Sequence, residues 1–309
     1  MMNEISIKQI FLALLVLSGI WFCIALFNSY KNQKAKTNVN KKEAIGLAIT
    51  GFVANFFDTL GIGSFAIMTS SFKNFKLVDD KLIPGTLNVG VAIVCITQAF
   101  LFIDAVKVDT LTLMSMIVSA LGGALIGASI VSKLNKQHIQ LVMTIALFIM
   151  GITMILKMAG LLPGGDEASS VNGFTGGKLV IACVANFVFG ALNTIGIGLF
   201  APCMVTLSLL GLHPSCIFPI MMGSTALLVP FAGIKYIKEN VHNMNGSILI
   251  NIFGTIGVFV AFFLVKQMDL VMLKYLVIIV VGYTTWEMGK SYIKSKVDTK
   301  KENQRLQNQ

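Results

Sequence analysis

Asp58-Thr59-Leu60-Gly61-Ile62-Gly63-Ser64-Phe65-Ala66 aligns without a gap on Asn193-Thr194-Ile195-Gly196-Ile197-Gly198-Leu199-Phe200-Ala201, an offset of 135 residues. Each copy is preceded by Val-Ala-Asn-Phe, at Val53 to Phe56 and at Val184 to Phe187, and each interrupts a long apolar run. A polar, glycine-bearing break at corresponding places in two halves of a membrane chain is the mark of a repeat-built transporter, with its site at the repeat interface. The offset persists beyond the motif: Pro84 falls on Pro219, Asp104 on Glu239 and Leu141 on Leu276. That persistence separates a duplication from a chance match.

The composition fits such a chain. Of 309 residues, 55% are hydrophobic and 12% charged, where a soluble domain carries about 25% charged residues. Apolar runs cover about 10–27, 44–72, 83–103, 110–132, 139–158, 179–210, 215–234, 246–265 and 270–289. A helix needs roughly 20 residues to cross the hydrocarbon, so the expected fold is an all-α integral membrane protein with up to nine spans. A β-barrel would show alternating segments of about ten residues, and none is visible. The run at Ile10 to Phe27 is longer than the apolar region of a signal peptide and lacks a small-residue cleavage site before Asn28, so it reads as a retained helix.

The net charge of +10 collects at Lys31 to Lys42 and at Lys290 to Arg305, each beside an apolar run. This is the positive-inside pattern rather than a nucleic-acid surface, and it places both clusters in the cytoplasm and the N-terminus outside. Cys23, Cys95, Cys183, Cys203 and Cys216 form no Cys-x-x-Cys pair and read as small packing residues. His138, His213 and His242 have no metal-ligand spacing. No metal site, cofactor or enzymatic constellation is expected.

The chain therefore divides into an N-terminal helix and basic loop (1–43), repeat 1 (44–158), a turn-rich linker (159–177), repeat 2 (178–289) and a basic tail (290–309). Topology depends on the motif runs. If they cross the membrane, each repeat has four spans and both insert the same way. If they fold back, each repeat has three, giving about seven full spans with the first helix, two re-entrant segments and inverted halves. Lysine placement slightly favours folding back, as does run length, which suits two half-helices of about 14 residues, each too short to span.

Broken backbone at membrane depth needs protein or a water-filled cavity to satisfy it, so each break implies a buried polar pocket. The glycines Gly61, Gly63, Gly196 and Gly198 admit backbone shapes closed to other residues and let a ligand approach. Asp58 and Thr59, like Asn193 and Thr194, are helix N-capping types. On that reading each second half-helix begins near them, its positive dipole end facing the pocket. Asn55 and Asn186 lie near whole turns before the break and point the same way. All these polar residues either line a site for a small anion or only satisfy broken backbone. Thr86, Asn88, Ser224 and Thr225 in the next spans either line the same cavity or make ordinary helix–helix hydrogen bonds. Gly123-x-x-x-Gly127 reads as close helix packing.

Asp58 is the one ionisable residue near the middle of an apolar run, which makes it a functional candidate by default. Its counterpart is the amide Asn193, so only one half can bind a proton. A carboxylate near an anion repels it unless protonated, and Asp58 is either a proton-coupling group or a helix cap.

The repeated Asn-Phe…Asp/Asn-Thr-Leu/Ile-Gly-Ile-Gly-x-Phe-Ala pattern, with a proline about eighteen residues later in each half, resembles the TauE/SafE family of sulfite exporters, over about 44–290. The resemblance implies a transporter of small anions such as sulfite, sulfonates or related organic anions, outward across a bacterial cytoplasmic membrane. It places the family motif on Asn55, Asp58, Thr59, Gly61 and Gly63 and on Asn186, Asn193, Thr194, Gly196 and Gly198. The helix before residue 30 lies outside that pattern. A passive anion channel is the alternative; an intramembrane enzyme or thiol carrier lacks paired cysteines or a nucleophile–base pair. The sequence leaves oligomeric state unassigned.

Overall fold

A computed structural model of the chain describes residues 2–32, 40–127, 136–159, 161, 171–194 and 198–307. Every regular element among them is helical: α1 (Met2–Asn32), α2 (Lys41–Thr59), α3 (Ser64–Asn74), α4 (Ile83–Gly90), α5 (Ala92–Ala105), α6 (Thr110–Gly122), α7 (Lys136–Met158), α8 (Gly176–Thr194), α9 (Phe200–Leu210), α10 (Pro214–Glu239), α11 (Met244–Lys266) and α12 (Leu270–Gln307). A 3-10 turn at Asp80–Leu82 precedes α4, and a π-helical turn, Gly123–Gly127, continues α6. Among the described residues the nine apolar runs coincide with these elements, because in hydrocarbon a helix satisfies its own backbone. The basic tail is not a separate coil: α12 continues through it to Gln307. Most of the turn-rich linker lies outside the described residues.

Five segments are long and apolar enough to cross a membrane: Ile7–Lys31, Asp80–Ala105, Gly176–Asn193, Pro214–Glu239 and Met244–Lys266. Of the α10 span 83% is buried, against 17% of the α1 span, so α10 is central and α1 peripheral. Outward-facing aliphatic and aromatic side chains such as Ile10, Leu17 and Ile24 on α1, Val180 and Val184 on α8, and Ile252, Phe259 and Phe263 on α11 form an apolar exterior suited to lipid. Phe22 of α1 is fully buried and seats against Gly233 of α10, where a Cβ would meet its ring at 2.9 Å.

Both motif runs fold back. In the second, Lys178 Nζ at the start of α8 donates to the carbonyl of Leu210 at the end of α9 (3.0 Å), and His213 N–H donates to Val171 O (3.0 Å). A 19-residue helix is about 28 Å long, so these contacts require α9 to return alongside α8. In the first, a Cβ on Gly46 at the start of α2 would lie 2.9 Å from Leu77, just beyond α3. The expectation of two equal half-helices is corrected here: each hairpin has a 19-residue arm and an 11-residue return. In the first hairpin the reason is local, since α2 runs on until Gly61 interrupts it.

The hairpins open at opposite ends of the bundle. The mouth of α8–α9 lies with the end of α5 and the start of α6, where Asp109 N–H donates to Asn172 O (2.8 Å), and Lys8 Nζ of α1 reaches Asp104 O (3.4 Å). The mouth of α2–α3 lies with the α10–α11 loop and the start of α4: Leu47 packs by Gly246, and Asn243 N–H donates to Thr86 Oγ1 (2.9 Å).

Packing follows a matching scheme. The long arm α2 packs against α11, and the long arm α8 packs against α6 and its π turn; α5 packs on α10 and α7 on α12. Glycines set the first two crossings. A Cβ on Gly123 would run into Phe187 O, one on Gly190 into Ala120 O, and one on Gly257 into Phe52 O. Gly123 is thus a packing residue, as expected from small-residue spacing.

The span after Pro84 is broken and the one through Pro219 is not. Between α4 and α5, Asn251 of α11 inserts its amide into the helix ladder, accepting from Ile93 N–H (3.0 Å) and donating to Val89 O (2.8 Å). These two groups are i and i−4, so the side chain replaces one helical hydrogen bond.

Candidate functional site

α2 starts at a capping box, Asn40 N–H donating to Glu43 Oε2 (3.1 Å), and ends at the motif. Gly61 and Gly63 hold φ of 100° and 86°, the left-handed region that side chains disfavour. The last carbonyls of α2 are satisfied within the turn, Gly61 N–H donating to Asp58 O (2.8 Å) and Ile62 N–H to Phe57 O (3.0 Å). α3 then begins at Ser64, after a Gly63 cap that has no side chain to offer.

Asp58 supplies that missing cap. Its Oδ1 accepts from Ser64 N–H at 2.6 Å, and its Oδ2 accepts from Gln98 Nε2 of α5 at 2.9 Å. Gln98 Nε2 also donates to Thr59 Oγ1 (2.9 Å), whose own hydrogen goes to Asn55 O (2.8 Å). Both Gln98 N–H groups are therefore used, which fixes the amide orientation. Asp58 is 5% exposed, and Thr59, Asn55 and Gln98 are fully buried. Both carboxylate partners are donors, an arrangement suited to the ionised form. No lysine pairs with it among the described residues.

This corrects the expected helix start. Asp58 and Thr59 lie in the last turn of α2, and Asn193 and Thr194 in the last turn of α8; the second arms begin later, at Ser64 and Phe200. The helix persists through these polar residues because their backbone is helix-competent, and in the first copy it stops just before Gly61. The capping role of Asp58 is exercised by its side chain from six residues away.

The amide of Asn55 donates back to Gly51 O of its own helix (2.7 Å) and packs on Gly254, where a Cβ would come within 2.5 Å of its nitrogen. Asn186 donates to Met116 O of α6 (2.7 Å) and to Ser224 of α10 (3.2 Å). In each the side-chain oxygen has no partner, and the same holds for Gln98 Oε1. Of the second-span candidates, Ser224 joins Asn186; Asn88 and Thr225 donate to carbonyls of their own helices (Pro84, Met222), and Thr86 donates to Leu82 O while accepting from Asn243 N–H.

In the second copy Asn193 is half-buried, and Gly196 and the side chain of Thr194 lie outside the described residues. Gly198, like Gly63, has open space where a Cβ would project. Gly61 abuts Met204 of α9, so the first break lies against the return arm of the second hairpin. Leu60, Leu199 and Phe200 belong to one apolar core.

Gln98 and Asn251 were not among the sequence candidates. Their signal was available: each is an isolated amide inside an apolar run, and polar side chains at membrane depth face protein.

These features define a multi-pass, all-helical membrane protein with two broken helical hairpins. Residues 1–154 match the family model described as Sulfite exporter TauE/SafE, and the chain belongs to that family of membrane transporters. The match takes in α1, which the motif comparison had set outside the family pattern, and ends before the second hairpin, which that comparison had included. No curated protein and no solved structure gives a significant match.

Proposed function

We propose that the chain is a secondary transporter that exports small anions, such as sulfite, sulfonates or related organic anions, by alternating access between inverted repeats 44–158 and 178–289. The observation that carries this reading is the opening of the two hairpins at opposite ends of the bundle. Exchange of the repeats also maps α2 on α11 to α8 on α6, and leaves α5 on α10 and α7 on α12 in place, as a pseudo-twofold axis requires. The count is then seven full spans and two hairpins, and basic flanks put the N-terminus outside and α12's end in the cytoplasm.

The substrate site lies between the breaks, with Asn55, Asp58, Thr59, Gly61, Gly63, Asn186, Asn193, Thr194, Gly196 and Gly198 around it. Open space at Gly63 and Gly198 supports close approach by a ligand. Asp58 and an oxyanion want the same donors, Ser64 N–H and Gln98. Protonation of Asp58 would remove the repulsion and loosen its hold on both, which couples proton binding to anion binding.

Counterflow in proteoliposomes tests the reading. Internal unlabelled sulfite or sulfoacetate should accelerate uptake of labelled substrate, because alternating access exchanges faster than it returns empty. Flux that ignores trans substrate would instead assign a passive channel. Asp58→Asn that transports with the parent pH dependence would remove the proton role.

A further inference from the structure

A cavity of about 360 Å³ opens at the bundle end that holds the α8–α9 mouth, and neither Asp58 nor Asn193 lines it. Its rim carries Lys107 from the α5–α6 loop, Lys266 at the end of α11 and His213 at the start of α10; its floor includes Phe102, Phe218 and Phe262. The three rings form one cluster, Phe102 stacking on Phe218 (5.4 Å between centroids) and meeting Phe262 edge-on (5.0 Å).

The rim is cationic without internal neutralisation. No acidic residue lines the cavity, and neither lysine is ion-paired among the described residues. The two carboxylates nearest in sequence serve as helix caps: Asp109 Oδ2 accepts from Thr112 N–H (2.8 Å) and Asp269 Oδ1 from Met272 N–H (2.7 Å). His213 adds a donor. Its Nδ1 accepts from Ser215 N–H (3.2 Å), so Nδ1 carries no proton, and the neutral ring carries its hydrogen on Nε2. Partial burial lowers the His213 pKa, which keeps that neutral tautomer in place near pH 7. The first turn of the 26-residue α10 also presents its positive end here.

Size and chemistry decide the ligand. The volume is at the lower end of small-molecule pockets, roughly 300–1,000 Å³, and a bare oxyanion would leave the aromatic floor uncovered. We propose that this cavity is a second binding site, for an organic anion with an apolar body such as an arylsulfonate or arylcarboxylate, its charge between Lys107 and Lys266 and its ring on the phenylalanine floor. The site stands apart from the breaks and does not depend on the transport reading. An anionic lipid offers the same two chemical features, so the test separates the two sources.

Benzenesulfonate binding to the full-length protein, measured calorimetrically in zwitterionic nanodiscs, should be saturable. The Lys107→Gln/Lys266→Gln pair should weaken it at least tenfold, each single change less, and neutral benzenesulfonamide should bind at least tenfold more weakly than the sulfonate. Excess sulfite should not displace the ligand. Unchanged affinity in the double lysine variant, or displacement by sulfite, would overturn the site. Loss of binding when phosphatidylglycerol replaces part of the lipid would make it a lipid headgroup site and overturn the proposal equally. If transport fails and this binding holds, the cavity survives the loss of the transporter reading.

Discussion

Asp58 and Ser64 are joined by a 2.6 Å hydrogen bond across the first helix break, so a buried carboxylate in the last turn of one helix caps the first residue of the next. The break is thereby held by a side-chain hydrogen bond as well as by glycine. Asp58→Asn keeps the shape but sets an N–H₂ against either Ser64 N–H or Gln98 Nε2, both donors. Stability should fall by about 1–3 kcal/mol, read as a lower melting temperature in detergent. Adding Gln98→Glu returns an acceptor opposite the new amide and should recover part of the loss. A coupling energy in this double-mutant cycle below about 0.5 kcal/mol would mean that the two side chains are not linked.

Ser64→Pro is a narrower probe. Proline is tolerated in the first turn of a helix and lacks only the N–H, and Gly63, with ψ of 121°, already has the extended ψ that a following proline favours. The change deletes the one backbone donor to Asp58. A loss of roughly 1–3 kcal/mol is expected, while Ser64→Ala, which retains the N–H and loses only the hydroxyl that also faces Asp58, should cost less. Equal effects from the two substitutions would place the contribution of Ser64 in its hydroxyl instead.

Much of this arrangement was legible in the chain because apolar runs and glycine breaks report directly on what hydrocarbon permits. The break at Gly61 and Gly63 was readable since no right-handed helix passes through those φ values. The partners of Asp58 were not, because Gln98 lies 40 residues away and no local pattern pairs the two. The same limit applies to Asn251, which reaches 162 residues back to Val89. Arm lengths were misjudged for a different reason: Asp58 and Thr59 cap helices well, but they also sit within one without strain.

Asn251 should be as sensitive as the motif itself. Asn251→Leu fills similar volume and strands Ile93 N–H and Val89 O, two buried backbone groups at the α4–α5 break. Each orphan costs about 1–3 kcal/mol, so the variant should melt well below the parent, and Asn251→Asp, which keeps only the acceptor, should fall between. Parent-like melting of Asn251→Leu would show that water reaches the break.

Gly123→Ala and Gly257→Ala place a methyl group against a backbone carbonyl of the partner helix, Phe187 O and Phe52 O. Neither carbonyl can swing aside as a side chain could, so the helices must separate. Overpacking of this kind costs about 1–3 kcal/mol, and each variant should show a lower melting temperature and faster proteolysis. Gly177→Ala, with nothing near its Cβ, is the matched control and should behave as the parent.

Stability should also fall in mild acid. His242, in the α10–α11 loop, is 4% exposed; burial pushes its pKa below the ordinary value, which the nearby Tyr236 backbone opposes only in part, and neither ring nitrogen has a hydrogen-bond partner among the described residues. His213, partly buried, shifts the same way. A lowered histidine pKa means that the unfolded chain takes up protons first, so folding stability is full above about pH 6.5 and is lost as pH falls towards the depressed folded values. The melting temperature should therefore drop between pH 7.5 and pH 5, and His242→Gln should flatten that drop. A variant whose pH dependence matches the parent would transfer the effect to other groups.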